Sequence, residues 1–445
     1  MKSSQFNVLI PMEKNNEYLL YNTFSDSMAL VDFKLKKIME KNKIKLTSSN
    51  PVVLENLKAL EEAGFITSDD GLEDRELENW FMRLKHNTEE LAITIFTTFA
   101  CNLKCTYCFQ EFTKGKASIK SAVADKMVEW IKKKISEVRP KNLELLFFGG
   151  EPLLNIKAIE SISKKIKAEA KSKGIDFRFD LITNGTLLTV ETVKKLIPLG
   201  LRGAKVTLDG FRNFHNEKRP YKNGRGSYDT IVENIVNACE LIPVSIGGNY
   251  DDVNKESFVT LLDHLESLGL SGKLNQVHFR PIFSQISKEG GAENSPGKNM
   301  LCESCSFSET YSKDAFFLRN EITKRGFNAP DTTRLGPCKF FNKHSYTIDP
   351  EGFIYKCEGF AGISKYSIGS IYKGMNEDRL NEMLNSDPWK NCGDCKYIPV
   401  CGCGCRALAC GQNGKMDKVI CEKRYFEKVA AGLWKKSYLE GRCNA

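Results

Sequence analysis

The chain has 445 residues, 41% of them hydrophobic and 27% charged, which is ordinary for a globular protein and long enough for about two to four domains. A net charge of +9 is mild at this length and gives no licence for nucleic-acid binding. No window approaches the roughly eighteen consecutive apolar residues of a membrane span, and the apolar run in FNVLIP is too short for a secretory signal, so a cytoplasmic protein with no membrane partner is expected.

In chain order, FNVLIP (6–11), EYLLYNT (17–23) and SMALVD (27–32) read as short strands separated by Asn- and Ser-rich turns. Helical periodicity follows at 33–42, 52–63 and 72–86, and GFITSDDG between the last two resembles a small wing. Residues 1–86 therefore read as a winged-helix-like unit. An open edge on its small sheet is able to accept a strand from a peptide.

From Leu91 the pattern changes to strand–helix alternation. Strands are expected at 91–99, 143–150, 179–185, 203–210, 244–250 and 275–283, with helices near 120–138, 156–173, 189–199, 228–241 and 255–268. This predicts an α/β fold with parallel strands, a partial (β/α)6 TIM barrel over residues 87–285. Residues 286–335 read as a linking region and 336–445 as a cysteine-rich domain. Eleven of the sixteen cysteines lie between Cys302 and Cys421. In a reducing compartment such clusters read as metal ligands rather than disulfides.

Chemistry concentrates at the strand ends. CNLKCTYCF places Cys101, Cys105 and Cys108 directly after the first barrel strand, where barrel enzymes carry active-site loops. Three thiolates in CxxxCxxC suit one face of a cubane iron–sulfur cluster, leaving a fourth iron open to an outside ligand. GGEP (Gly149, Gly150, Glu151, Pro152) ends the second strand, where the glycines allow close backbone approach and the carboxylate is able to receive an ammonium group. TNG (Thr183, Asn184, Gly185) ends the third strand and TLDG (Thr207 to Gly210) the fourth.

This set of motifs resembles the radical S-adenosylmethionine (SAM) superfamily. The resemblance implies a 4Fe-4S cluster on Cys101, Cys105 and Cys108 that binds SAM, with the aromatic Phe109 following and the Gly149–Pro152 motif holding the SAM amino group. Thr183, Asn184, Thr207 and Asp209 are then expected around the SAM ribose and carboxylate or facing the substrate. DGFRNFHNEKRPY looks like the peptide-modifying branch, with His215 and Arg219 at the matching positions; Arg219 either pairs with the SAM carboxylate or makes a structural salt bridge.

Cys338, Cys357, Cys392, Cys395, Cys401, Cys405 and Cys421 follow the order of the SPASM extension, which implies two auxiliary 4Fe-4S clusters and three in all. One set is Cys338, Cys357 and Cys405; the other is Cys392, Cys395, Cys401 and Cys421. The fourth position of the first set is open to Cys302, Cys305, Cys403 or substrate, and a zinc ribbon on the CxxC is the plain alternative. Glu358 stands where sulfatase-maturating relatives carry an Asp base.

The implied function is maturation of a ribosomally made peptide by a 5′-deoxyadenosyl radical, forming thioether crosslinks as sactipeptide and ranthipeptide maturases do. Residues 1–86 then act as the precursor recognition element. The alternatives are formylglycine formation of the anaerobic sulfatase-maturating type, carbon–carbon crosslinking or epimerisation; an iron–sulfur carrier and an RNA-modifying enzyme are disfavoured. The expected partners are a precursor peptide with its leader and a flavodoxin- or ferredoxin-type one-electron reductant, with no nucleic acid.

Overall fold

The computed structural model describes residues 1–13, 16–41, 44, 51–67, 71–108, 110, 117–251, 254–282, 309–330, 333 and 336–439. At the front lie strands β1 (Lys2–Ser3), β2 (Asn7–Pro11), β3 (Tyr18–Asn22) and β4 (Met28–Val31), then helices α1 (Phe33–Met39) and α2 (Pro51–Glu62), strand β5 (Ile66–Thr67) and helix α3 (Leu72–Lys85). β2, β3 and β4 form an antiparallel sheet, and β5, in the segment read as a wing, pairs with β1. Period-two alternation gives the sheet two apolar faces. Leu20 and Val31 pack with Met39, Leu57 and Leu60 of the unit's own helices. Val8, Ile10, Leu19 and Tyr21 pack instead on the C-terminal region, where the Tyr21 ring lies 4.2 Å from that of Trp434.

Six parallel strands follow: β6 (Glu90–Thr98), β7 (Asn142–Gly149), β8 (Asp176–Thr183), β9 (Leu201–Thr207), β10 (Val244–Tyr250) and β11 (Gln276–Pro281). Between them run α4 (Ser121–Val138), α5 (Ile156–Ser172), α6 (Val190–Leu196), α7 (Arg212–Lys218), α8 (Tyr228–Ala238) and α9 (Lys255–Ser267). Ile93, Leu145, Phe147 and Phe179 join helix residues such as Ile131 and Ile162 in one core. Burying these apolar faces is the main drive to the layered arrangement.

The sheet is larger than six units. β12 (Ser345–Ile348) pairs in parallel with β6, and β13 (Phe353–Tyr355), β14 (Gly369–Ser370) and β15 (Gly374–Met375) extend it antiparallel to ten strands. The reason is the edge of β6, whose backbone groups need partners. The SYTI segment supplies them and buries Tyr346 and Ile348 in return. The cysteine-rich region is thus continuous with the parallel sheet. Among the described residues, no helix is long and apolar enough to cross a membrane.

Candidate active site

The loop after β6 carries Cys101, which is buried, and Cys105 and Cys108, which are half-buried; Phe109 lies outside the described residues. The loop is stitched to the chain following α7: Lys104 N–H donates to the Pro220 carbonyl at 2.8 Å and Thr106 N–H to that of Lys218 at 3.0 Å. Leu103 N–H donates to Cys101 Sγ at 3.4 Å. Burial pushes the Cys101 thiol up to about 11, with the charges of Glu151 and Cys105 adding to the rise. A soft metal centre is what favours the thiolate in such a place.

The two glycines after β7 exist for close approach. A Cβ on Gly150 would fall 2.6 Å from the Ala100 carbonyl carbon and 2.7 Å from the Phe99 oxygen, and Gly149 has φ +147°. At this crossing Gly150 N–H donates to the Thr98 carbonyl and Glu151 N–H to that of Ala100, each at 2.9 Å. The contact delivers the Glu151 carboxylate next to the cysteine loop.

Glu151 is fully buried. It accepts from Thr183 Oγ1 at 2.8 and 2.9 Å, from Asn184 N–H at 2.8 Å and from Leu153 N–H at 3.0 Å, the last as cap of the short turn beginning at the buried Pro152. Burial raises its carboxyl above the usual range, against these hydrogen bonds and the charge of Arg219. No cation among the described residues makes an ion pair with it. Asn184 also donates from Nδ2 to Asn102 Oδ1 at 2.8 Å and approaches Cys101 Sγ at 3.7 Å. β7, β8 and the cysteine loop therefore meet at one carboxylate.

A second network ties the loop to β9 and β10. Tyr107, between the second and third cysteines, donates its hydroxyl to Asp209 and receives Arg219 Nη1 at 2.7 Å and Asn249 Nδ2 at 3.1 Å. Asp209 is fully buried, accepts from Asn249 N–H at 2.7 Å and lies 3.6 Å from the Arg219 guanidinium. Burial works against the Arg219 charge, but Cys105, Tyr107 and Asp209 hold it well above its usual value. Its Nε is buried and has no hydrogen-bond partner among the described residues.

His215 Nδ1 accepts from Asp209 N–H at 3.2 Å, so its proton sits on Nε2, 3.1 Å from Ser227 Oγ, which donates onward to the Arg219 carbonyl at 2.7 Å. Burial keeps this ring neutral. His215, Asp209 and most of Arg219 are thus spent on holding the loop, while Thr207 stands half-buried at the end of β9. Sequence reading missed Tyr107 and Asn249, although Tyr107 lies inside the motif that gave the cysteines.

The C-terminal cysteines fall into two neighbourhoods. Burial raises Cys357, and the charges of Glu358, Cys338 and Cys405 add to the rise, which places these three thiols together. Cys395 interacts with Cys392 and Cys421, and Cys401 with Cys392. Cys403 joins this second group, 3.7 Å from Cys392 Sγ to Sγ. Cys302 and Cys305 lie outside the described residues. Among the described residues, no three His, Cys, Asp or Glu side chains converge on a single-ion site; a cubane spreads its ligands over separate irons and asks for a wider set.

The residues at the strand ends fit the group that the cysteine spacing implies. A soft three-thiol loop, a buried carboxylate without an ion pair among the described residues, and the unpartnered Arg219 Nε, whose charge reaches both Cys101 and Glu151, match a cluster with an ammonium- and carboxylate-bearing ligand. Residues 95–267, which span the cysteine loop, the Glu151 turn and the Asp209 network, match the Radical SAM superfamily.

More particular likenesses follow. The cysteine-type anaerobic sulfatase-maturating enzyme of Clostridium novyi is 25% identical over 359 residues, 75% of this chain and 93% of that one. Among solved structures, anSMEcpe with bound AdoMet and Kp18Cys peptide superposes with a TM-score of 0.62 at 18% identity, covering 79% of this chain and 99% of that one. Streptococcus suis SuiB bound to precursor peptide SuiA gives 0.52 at 14% identity, covering 94% and 98%. At such identities the structural likeness speaks to the fold.

Proposed function

We propose that this protein is a SAM-dependent radical enzyme that removes hydrogen from a side chain of a peptide or protein substrate. The observation that carries the reading is the buried Glu151 carboxylate, without a cation, beside the three-thiol loop. Cys101, Cys105 and Cys108 would hold the site cluster, Glu151 the SAM ammonium, and Arg219 Nε the SAM carboxylate. Loaded in this way, the site supplies a carbon radical able to take hydrogen from an unactivated carbon, and the auxiliary cysteine sets, Cys338/Cys357/Cys405 and Cys392/Cys395/Cys401/Cys421, supply electron acceptors.

For the reaction itself, the relatives support oxidation of a Cys or Ser side chain, as in sulfatase-maturating enzymes, ahead of the thioether formation expected from sequence. Glu358 suits the base. It is half-buried and its Oε1 accepts from Thr94 Oγ1 on β6 at 2.7 Å, which aims the carboxylate into the barrel. There it takes the proton of the substrate hydroxyl or thiol, while the carbon loses a hydrogen atom and the side chain one electron.

Thioether formation stands as a second reading, favoured by one observation: Cys403 groups with Cys392, so the Cys338 set has three thiols among the described residues and room for a substrate sulfur. Residues 1–86 act here as the unit that binds the substrate leader, and an external one-electron reductant is required. Reconstituted, reduced protein given SAM and Cys- or Ser-containing peptides separates the cases. Aldehyde-reactive product supports the first reading, loss of two hydrogens with loss of a thiol supports the second, and no 5′-deoxyadenosine removes both.

A further inference from the structure

One face of the parallel sheet carries two cations, Lys205 and Arg280, that make no ion pair among the described residues. Lys205 of β9 is in register with Ser245 of β10 and Gln276 of β11; Thr207, Gly247 and His278 form the next level, and Asn249 and Arg280 the last. Alternation puts these on one face of the sheet, opposite core residues such as Val206 and Ile246. The Lys205 chain leaves its own level. A Cβ on Gly247 would fall 2.7 Å from Lys205 Cε, so the lysine climbs over Gly247 toward the strand ends, and the bare glycine makes the room.

Lys205 makes no hydrogen bond or ion pair with any described residue. Arg280 has one side-chain hydrogen bond, from Nε to His278 Nδ1 at 3.2 Å. That ring is no counter-charge, since burial and the cations Arg280, Lys205 and Arg319 push it down to about 3. Burial, with the charge of Arg280, also pushes Lys205 down to about 8. Of the carboxylates on this face, Glu144 pairs with Arg178, Asp180 with Arg202, and Asp209 with Arg219 and Tyr107, while Glu358 accepts from Thr94 and makes no ion pair with either cation. Lys205 is half-buried and Arg280 exposed, so the two cations lie open to an anion from outside.

Their position says which anion. Asn249, level with Arg280, donates to Tyr107 of the cysteine loop. On the other side Arg280 lies within electrostatic reach of Cys405. The cations therefore sit between the cysteine loop and the first auxiliary set, with Glu358 and Thr94 on the β6 side of the same face. A substrate reaching the reacting centre passes over them.

We propose that Lys205 and Arg280 form an anion subsite that receives a carboxylate of the peptide substrate and so determines which of its residues is presented for reaction. This rests on the peptide-oxidising reading above. The carboxylate is either an Asp or Glu side chain or the peptide C-terminus.

The test is affinity selection of a synthetic library on the immobilised, cluster-reconstituted full chain with SAM present. The library consists of Cys-containing 12-mers with Asp, Asn, Glu, Gln, Lys or Arg at each flanking position, half of them C-terminally amidated. Wild type is expected to retain carboxylate peptides about tenfold or more over their amide isosteres, the worth of a charge-assisted hydrogen bond. Lys205→Met or Arg280→Gln abolishes that preference, and Lys205→Glu turns it toward Lys and Arg. Preference limited to free C-termini assigns the terminal carboxylate; preference in amidated peptides assigns the side chain. Peptide-independent cleavage of SAM remains unchanged in Lys205→Met.

Equal retention of acid and amide peptides by wild type overturns the proposal, as does preference that survives both substitutions. Loss of SAM cleavage in Lys205→Met also overturns it, because the anion is then the SAM carboxylate. Wild type that cleaves no SAM at all refutes the enzyme reading instead, and the selection reports on the subsite in either case.

Discussion

Gly150→Ala puts a single methyl where two stretches of backbone cross. The added Cβ would sit 2.6 Å from the Ala100 carbonyl carbon, whereas unstrained contact begins near 3.4 Å, so the loop leaving β6 must retreat by about 0.8 Å. No side chain is able to yield instead, since the clashing atoms are backbone. The retreat breaks the 2.9 Å hydrogen bond from Glu151 N–H to Ala100 and moves Cys101 relative to the Glu151 carboxylate. A displacement of this size in a reacting geometry costs about 100-fold in rate, or about 2.7 kcal/mol of barrier. The assay is 5′-deoxyadenosine release by reconstituted, dithionite-reduced protein, with site-cluster loading followed by iron analysis and electron paramagnetic resonance. Leu154→Ala, at a largely exposed neighbour, serves as control and should change little. Cleavage by Gly150→Ala within threefold of wild type refutes the claim that this crossing sets the site.

Asp209→Asn keeps the shape of the second network but leaves the buried Arg219 cation unanswered, at a cost of about 3 kcal/mol, and should lower iron retention by the cysteine loop; denaturant unfolding of the apo-protein checks it, and a loss under about 1 kcal/mol contradicts the clamp. Glu358→Gln is expected to retain SAM cleavage while peptide product falls about 100-fold or more, and product formation at the wild-type rate excludes it as the base. Lys205→Met should stabilise the protein at pH 7 by on the order of 2 kcal/mol. The lysine's folded value, about 8, lies below its unfolded value, so its penalty is full below pH 8 and fades as pH rises toward about 10.5. A thermal-shift series across that range reads the difference, and a gain that does not shrink with pH contradicts the assignment.

Much of the parallel sheet was legible because its signals are local. LAITIFTTF and VSIGGNY carry strand composition in themselves, and β6 and β10 formed within a residue of the expected limits. α7, RNFHNEK, escaped because its single apolar residue, Phe214, sets no helical period. β12 escaped because its partner, β6, lies some 250 residues earlier, and nothing in SYTI names it. The docking of Tyr21 on Trp434 is equally non-local.

At the site, the cysteines and Glu151 declared themselves by spacing and residue type. The roles of Asp209 and His215 did not, because a polar residue at a strand end reads alike whether it meets a ligand or braces a loop. Only the fold shows that Tyr107 and Asn249 claim the Asp209 carboxylate. Lys205 was invisible in sequence, one lysine among many, until the strand register placed it over Gly247.

The central claim is that Cys101, Cys105 and Cys108, with Glu151, make the site where SAM is cleaved. The measurement that tests it most directly is 5′-deoxyadenosine formation by anaerobically reconstituted Cys101→Ala/Cys105→Ala/Cys108→Ala protein, alongside its iron content. The account predicts that cleavage disappears while the iron held by the C-terminal cysteines remains. Cleavage that persists in the triple variant contradicts it.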